Sequence, residues 1–201
     1  MAGKLVYLVG PSGSGKDSLL QALAHDLPDD CVIMKRVITR PENSPGEVAD
    51  SVSMQAFEQI EAQGGFTMSW RANGLAYGIP KDLDRYLAEG KTVLVNGSRS
   101  YCTRVSQLYP GVIIVLVAVR PELLRQRLIN RGRESLQEIT LRLARNQCLE
   151  QVLQNKLALR QISFFRVDNS GDLSLAVEQL RAQLETWCNA VTQSEKPTFL
   201  S

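Results

Sequence analysis

Gly10-Pro11-Ser12-Gly13-Ser14-Gly15-Lys16 is the stretch that decides the fold. It matches G-x-x-x-x-G-K, the phosphate-binding loop, and it sits in the context such a loop requires. Before it, Leu5–Val9 is a short apolar run. After it, Leu19, Leu20, Leu23 and Leu27 recur at helical spacing until Pro28 closes the helix. Strand, glycine-rich turn and helix in that order let successive backbone N–H groups converge on one anion, and the helix adds its N-terminal partial positive charge. Lys16 is placed to reach the β- and γ-phosphates. The loop, Gly10 through Lys16, therefore predicts a nucleoside triphosphate site, and not a mere glycine-rich turn beside a surface lysine.

One position departs from the pattern. The residue after the lysine is ordinarily Ser or Thr, whose hydroxyl binds magnesium; here it is Asp17, followed by Ser18. Both carry oxygen, the ligand Mg²⁺ takes. Asp17 directly or through water, or Ser18 from a shifted position, are the candidate metal ligands.

Outward from the loop, Val32–Ile38, Thr92–Val95, Val112–Val119 and Ser163–Val167 are further apolar, β-branched-rich runs. Continuous apolar strands separated by helical patterns predict an α/β fold, a parallel sheet covered on both faces. Pro80 and Pro121 stand at first helical positions, Gly90 and Gly132 close those helices, and Ser135 with Glu138 forms a capping box. Leu173, Val177, Leu180 and Leu184 make the stripe of a last helix. Arg40–Ser53 is polar and turn-rich, a surface segment between core elements. Residues 189–201 are expected to form a flexible tail.

Composition excludes several function classes. The 23 basic and 21 acidic residues leave a net charge of +2, too little for a general polyanion binder, and no aromatics interleave the arginines, so no nucleic-acid partner is expected. A single histidine, His25, makes a His-based metal site or a Ser-His-Asp triad untenable, and the four cysteines form no C-x-x-C pair. Val112–Val119 falls far short of the ~20 residues of a membrane span, and no secretory signal opens the chain. A cytoplasmic enzyme without a membrane partner is expected; a homodimer is compatible with the sequence, which does not set the oligomeric state.

Arg120, Arg125, Arg127, Arg131, Arg133, Arg142 and Arg145 crowd into one stretch, with Gly132–Ser135 as a hinge in its middle. A helical hairpin carrying arginines can close over phosphates, exclude water and offset developing charge.

These residues together resemble the guanylate kinase family of nucleoside monophosphate kinases, from about Lys4 to Leu184. The resemblance rests on the loop, on Thr39-Arg40 with Gly46-Glu47, on Gly74 with Tyr77-Gly78, and on the run Arg127–Arg142. It implies a three-layer P-loop fold over residues 1–188, with a parallel sheet flanked by helices. An acceptor subdomain is inserted at about 36–90 and a lid lies at about 125–146. It also implies transfer of the ATP γ-phosphoryl group to a phosphate acceptor, with Lys16, Arg131 and Arg142 catalytic.

The acceptor side departs from that family. Asn43 stands where a second arginine grips the acceptor phosphate, Met68 where a glutamate reads guanine, and Ser53 where a tyrosine lines the nucleotide site. Asn96-Gly97-Ser98-Arg99 replaces the usual acidic residue after the middle strand. This combination resembles one branch, the ribose 1,5-bisphosphate phosphokinases of bacterial phosphonate breakdown. The runs that carry it are Gly13–Ser18, Ser69-Trp70-x-Ala72-Asn73-Gly74-Leu75, Val93–Arg99 and Asn130–Glu134. The branch implies ATP and Mg²⁺ as cofactors, a small sugar-phosphate substrate, and 5-phosphoribosyl 1-diphosphate as product. Arg40, Tyr77, Ser98, Arg99 and Arg145 become candidate acceptor residues. Asn169 is implied to line the adenine pocket, or else serves the turn Asp168–Gly171. The competing readings are a guanylate-type kinase and a non-catalytic binding module. The second is disfavoured because Lys16, Arg131 and Arg142 all remain.

Overall fold

The computed structural model describes residues 3–40 and 49–193. β1 (Lys4–Val9) leads through the glycine loop into α1 (Lys16–Leu23), and β2 (Cys31–Met34), β3 (Arg36–Ile38), β4 (Ala49–Ser51) and α2 (Met54–Ala62) follow. Next come β5 (Phe66–Ala72), β6 (Leu75–Pro80), α3 (Asp82–Ala88), β7 (Thr92–Asn96), α4 (Cys102–Leu108) and β8 (Ile113–Ala118). α5 (Pro121–Arg131), α6 (Leu136–Leu159), β9 (Phe164–Asp168) and α7 (Leu173–Gln193) complete the chain. Among the described residues, no helix is long and apolar enough to cross a membrane.

The first sheet has strand order β2-β7-β1-β8-β9 and every pairing in it is parallel. Its strands are apolar throughout because both faces are covered, and period-2 alternation divides them between two cores. Leu5, Tyr7 and Val9 of β1 join Val93, Val95, Ile114 and Leu116 on one face, under α3, α4 and the end of α6. Val6 and Leu8 join Leu94, Val115 and Val117 on the other, under Leu19, Leu20 and Leu23 of α1 and Ala176, Leu180 and Leu184 of α7. In-register pairing of Leu8 with Asn96, and of Ala118 with Asp168, brings Gly10, Gly97, Val119 and Asn169 to one carboxyl edge. Open α/β sheets bind ligands at that edge.

The run Val32–Ile38, read as one strand, is two. The chain leaves the first sheet after Met34, passes the exposed Lys35, and enters a second sheet at Arg36. That sheet has order β4-β3-β6-β5 and mixed directions. The break falls at the exposed Lys35, and the buried Arg36 opens the new strand.

Pro80, expected to open a helix, is instead the last residue of β6, paired with Phe66; α3 starts at Asp82. The hairpin β5–β6 explains this. Asn73 (φ 50°) and Gly74 (φ 74°) are both left-handed, the requirement of a type I′ turn, and Asn-Gly is its strongest sequence signal. On the hairpin's outer face Phe57, Val37 and Ala76 pack with Phe66 and Val52 under α2. On its inner face Met68, Trp70 and Ile79 join the first sheet's core.

Leu124, Leu128 and Ile139 form a separate small core between α5 and α6. Gly132 caps α5 in the left-handed conformation, and the Ser135/Glu138 capping box is present. α6 then continues without a break, so the expected lid boundary near 146 falls inside a helix whose far end, Leu153 and Leu157, is anchored in the main core. α7 likewise runs to Gln193, past the point where the tail was expected to begin. Residues 194–201 lie outside the described residues.

Candidate active site

The loop is locked from several sides. Gly13 (φ 95°) and Gly15 (φ 84°) adopt left-handed backbone that favours glycine. A Cβ on Gly15 would stand 2.4 Å from Asn169 Nδ2, and one on Gly13 would stand 2.9 Å from Leu124 Cδ1. Asn169, buried at the end of β9, donates its amide to Ser14 O at 2.7 Å, and its own carbonyl accepts from Arg127 Nη2 at 3.0 Å. Ser14 Oγ, Asn169 Oδ1 and Arg127 Nη1 are buried around this point with no hydrogen-bond partner among the described residues. Orphaned polar atoms of this kind mark where a ligand completes the network. Asn169 thus acts on the loop itself. The turn role arises beside it, since Asp168 Oδ1 accepts from Ser170 N at 2.9 Å.

Lys16 Nζ donates to the carbonyls of Gly10 (3.0 Å) and Pro11 (3.2 Å). Desolvation pulls its pKa down to about 8; Asp17 opposes the shift, while Arg36, Arg99 and Arg131 add to it. Three arginines therefore weigh against the charge of this one lysine, which a bound polyanion would relieve.

Asp17 looks away from the loop. Its Oδ1 accepts from Asn96 Nδ2 at 2.5 Å and lies 3.6 Å from Arg36 Nη2. Arg36 is 7% exposed, donates from Nη1 to Asn96 O at 2.7 Å, and lies 5.4 Å above the ring of Tyr77. Burial lowers its pKa and Asp17 counters that shift. Tyr77 stacks on Trp70 at 5.4 Å; burial raises its pKa, and Arg36 and Arg40 lower it. Ser18 is exposed on α1.

Beyond β7 the chain turns through Gly97, where any Cβ would lie 2.0–2.4 Å from the Tyr7 ring. The Tyr7 hydroxyl accepts from Ser98 N at 2.9 Å, which fixes the loop that carries Arg99. Arg99 Nη2 donates to Asn146 Oδ1 of α6 at 2.7 Å, tying that loop to the long helix. Ser98 itself shares a hydroxyl contact with Ser100 at 2.9 Å.

Other expected residues are dispersed. Arg142 pairs with Glu134 across the hinge at 2.9 Å. Arg145 and Arg131 are exposed, and among the described residues neither makes an ion pair; only Arg131 is near enough to depress Lys16. Arg40 helps line a cleft of about 430 Å³ with Thr39, Ser51, Val52, Ser53, Met54 and Gly74. Thr39 is held there by Ala76 N, which donates to its Oγ1 at 2.8 Å, and Ser53 caps α2 by accepting from Ala56 N at 3.1 Å. Sequence reasoning missed Arg36, Asn96 and Asn146 as polar members of the site. The signal available was the Lys35-Arg36 interruption of an apolar run.

The guanylate kinase profile matches residues 2–159. The chain is 50% identical to ribose 1,5-bisphosphate phosphokinase PhnN of Pseudomonas paraeruginosa (strain DSM 24068 / PA7), covering 92% of this chain and 96% of that one. It is 47% identical to the protein of the same name from Pseudomonas fluorescens (strain SBW25), again over 92% and 96%. The chain belongs to the ribose 1,5-bisphosphate phosphokinase branch of the guanylate kinase family. A solved guanylate kinase from Anaplasma phagocytophilum shares the fold at a TM-score of 0.67 with 16% identity, over 92% of this chain and 86% of that one.

Within this guanylate kinase fold, the residue that the resemblance sets against a guanine-reading glutamate is packed in the core. Met68 is 1% exposed in the apolar core with Trp70, Ile79 and Leu83. Asn43, Gly46 and Glu47, which the family pattern also singled out, lie outside the described residues.

Proposed function

We propose that the protein transfers the γ-phosphoryl group of ATP to ribose 1,5-bisphosphate, giving ADP and 5-phospho-α-D-ribose 1-diphosphate. The observation that carries this reading is the left-handed glycine loop with Lys16 folded onto its carbonyls and Arg36 3.6 Å from the adjoining Asp17, in a chain of this branch. The attacking oxygen belongs to a phosphate already ionised at neutral pH, so the reaction needs no general base. Catalysis is positioning and charge neutralisation.

The left-handed glycines and backbone N–H groups of Gly10–Lys16 bind the triphosphate, with Asn169 and Arg127 bracing the loop. Phosphate oxygens replace the Gly10 and Pro11 carbonyls around Lys16 Nζ. Mg²⁺ would be held by phosphate oxygens together with the Ser18 hydroxyl, the Asp17 carboxylate being engaged by Asn96 and Arg36, and it would supply further charge neutralisation. Arg40, Tyr77, Ser98 and Arg99 bind the sugar bisphosphate from the other side. Arg131, Arg142 and Arg145 close with the lid and exclude water. A reaction drawing on ATP and a sugar phosphate belongs in the cytoplasm.

The experiment is ADP release with Mg-ATP, offering ribose 1,5-bisphosphate and GMP separately at equal concentration. Turnover with the sugar bisphosphate and formation of the diphosphate product is expected. Turnover with GMP alone overturns the reading in favour of a divergent nucleotide kinase.

A further inference from the structure

The residue after the P-loop lysine is a carboxylate, an anion at the rim of a site built for anions. Left alone, it would repel the phosphates that Lys16 attracts. The structure answers this with a buried cation on the neighbouring sheet. Arg36 Nη2 lies 3.6 Å from Asp17 Oδ1, an ion-pair separation longer than a hydrogen bond, while Asn96 Nδ2 fixes that same oxygen from 2.5 Å. Arg36 Nη1 is anchored on Asn96 O at 2.7 Å, at the carboxyl end of β7 beside the loop. The guanidinium plane reaches over Tyr77, whose hydroxyl also feels Arg40. The guanidinium therefore stands between the residue that follows Lys16 and the arginine of the acceptor cleft, on the first residue of the acceptor sheet.

We propose that Arg36 receives the attacking phosphate of the acceptor and that Asp17, with Asn96, is the positioning residue that aims it. A planar guanidinium binds phosphate through two parallel N–H bonds, which lysine cannot reproduce. The guanidinium 3.6 Å from Asp17 offsets the carboxylate's charge, so the carboxylate opposes ATP less. The arriving acceptor phosphate takes up donors that are already oriented. Asp17 thereby links the donor loop to the acceptor sheet: the loop position that departs from the usual hydroxyl acts through the acceptor. This rests on the ribose 1,5-bisphosphate reading above.

The test compares Asp17→Asn, Arg36→Lys and the double variant with wild type. Acceptor KM, ATP KM, kcat and the Mg²⁺ concentration for half-maximal rate are measured. Acceptor binding is also followed by calorimetry in the presence of a non-hydrolysable ATP analogue. Loss of a bidentate, charge-assisted contact should raise acceptor KM about 10–100-fold in Arg36→Lys, with ATP KM within about threefold. Asp17→Asn should raise acceptor KM about tenfold, leave the Mg²⁺ midpoint in place, and add nothing further in the double variant. Retained nucleotide binding reports a folded protein. If Arg36→Lys does not fold, Asp17→Asn decides alone, since Asp17 sits half exposed on α1. An unchanged acceptor KM in the single variants overturns the proposal. So does a shifted Mg²⁺ midpoint with additive losses, which would make Asp17 a metal ligand acting independently of Arg36. A wild type that ignores ribose 1,5-bisphosphate overturns the functional reading itself, whatever the variants do.

Discussion

The glycine loop and the cleft proposed for the acceptor are assembled in opposite ways. The loop is contiguous: seven residues, Gly10–Lys16, supply the turn geometry and the cation, and the rest of the fold adds only braces such as Asn169 to Ser14 O. The cleft is composite. Thr39 and Arg40 come from the end of β3, Ser51–Met54 from the entrance to α2, and Gly74 from the hairpin turn. Binding a triphosphate needs a standard shape, which a short motif encodes. Reading one acceptor among many needs a particular constellation, which only a folded sheet brings together.

That contrast is open to attack, beginning with the donor half. Lys16→Ala should lower turnover about 10³-fold while calorimetric affinity for ribose 1,5-bisphosphate stays within about threefold. A matching loss of acceptor affinity would show the halves to be one unit. In the acceptor half, Met68→Glu places a carboxylate in the shared core. It should destabilise the protein by about 3–5 kcal/mol in denaturant titrations and confer no GMP kinase activity. GMP turnover in that variant would mean the position reaches substrate after all.

Gly97→Ala sets a methyl group against the Tyr7 ring and should cost about 3 kcal/mol, lowering the melting temperature by about 10 °C. A variant of normal stability would show that the loop bearing Arg99 is not pinned there.

Nucleotide binding should fall with rising pH above about 8. The Lys16 pKa in the folded, ligand-free protein is lowered to about 8, so the ammonium that phosphates require is progressively lost above it, by up to about tenfold per pH unit. The ligand-free protein responds in the opposite direction. The penalty for burying the charged amine is relieved as pH climbs from about 8 toward the ordinary lysine value of 10.5, so its stability gains there. Thermal shifts with and without ATP across this range should therefore converge. Curves that stay parallel would remove Lys16 from the binding step. Smallest of all, Ser135→Ala removes the capping box of α6 and should cost about 1 kcal/mol by thermal melt.

Legibility followed the same division. The parallel sheet could be read because strands buried on both faces are apolar throughout, and α5 could be read because Pro121 and Gly132 bound it. The second sheet could not. β3 and β4 have three residues each, too short for any periodicity to register, and the Asn73-Gly74 turn that marks the hairpin went unused. Pro80 misled because proline is at home both at a helix start and at a strand end. In the site, Lys16 was visible by motif, whereas Asn96 and Asn146 are ordinary residues whose roles exist only through partners 79 and 47 positions away.

Lys35 is the whole of the covalent joint between β2 and β3. Any turning of the second sheet against the first passes at that end through the few backbone torsions at and beside this residue, since the peptides between them are planar. At the other end the equivalent joint is Lys81, between Pro80 and Asp82. The second sheet is thus tethered through two single residues and held against the first sheet's core by Met68, Trp70 and Ile79.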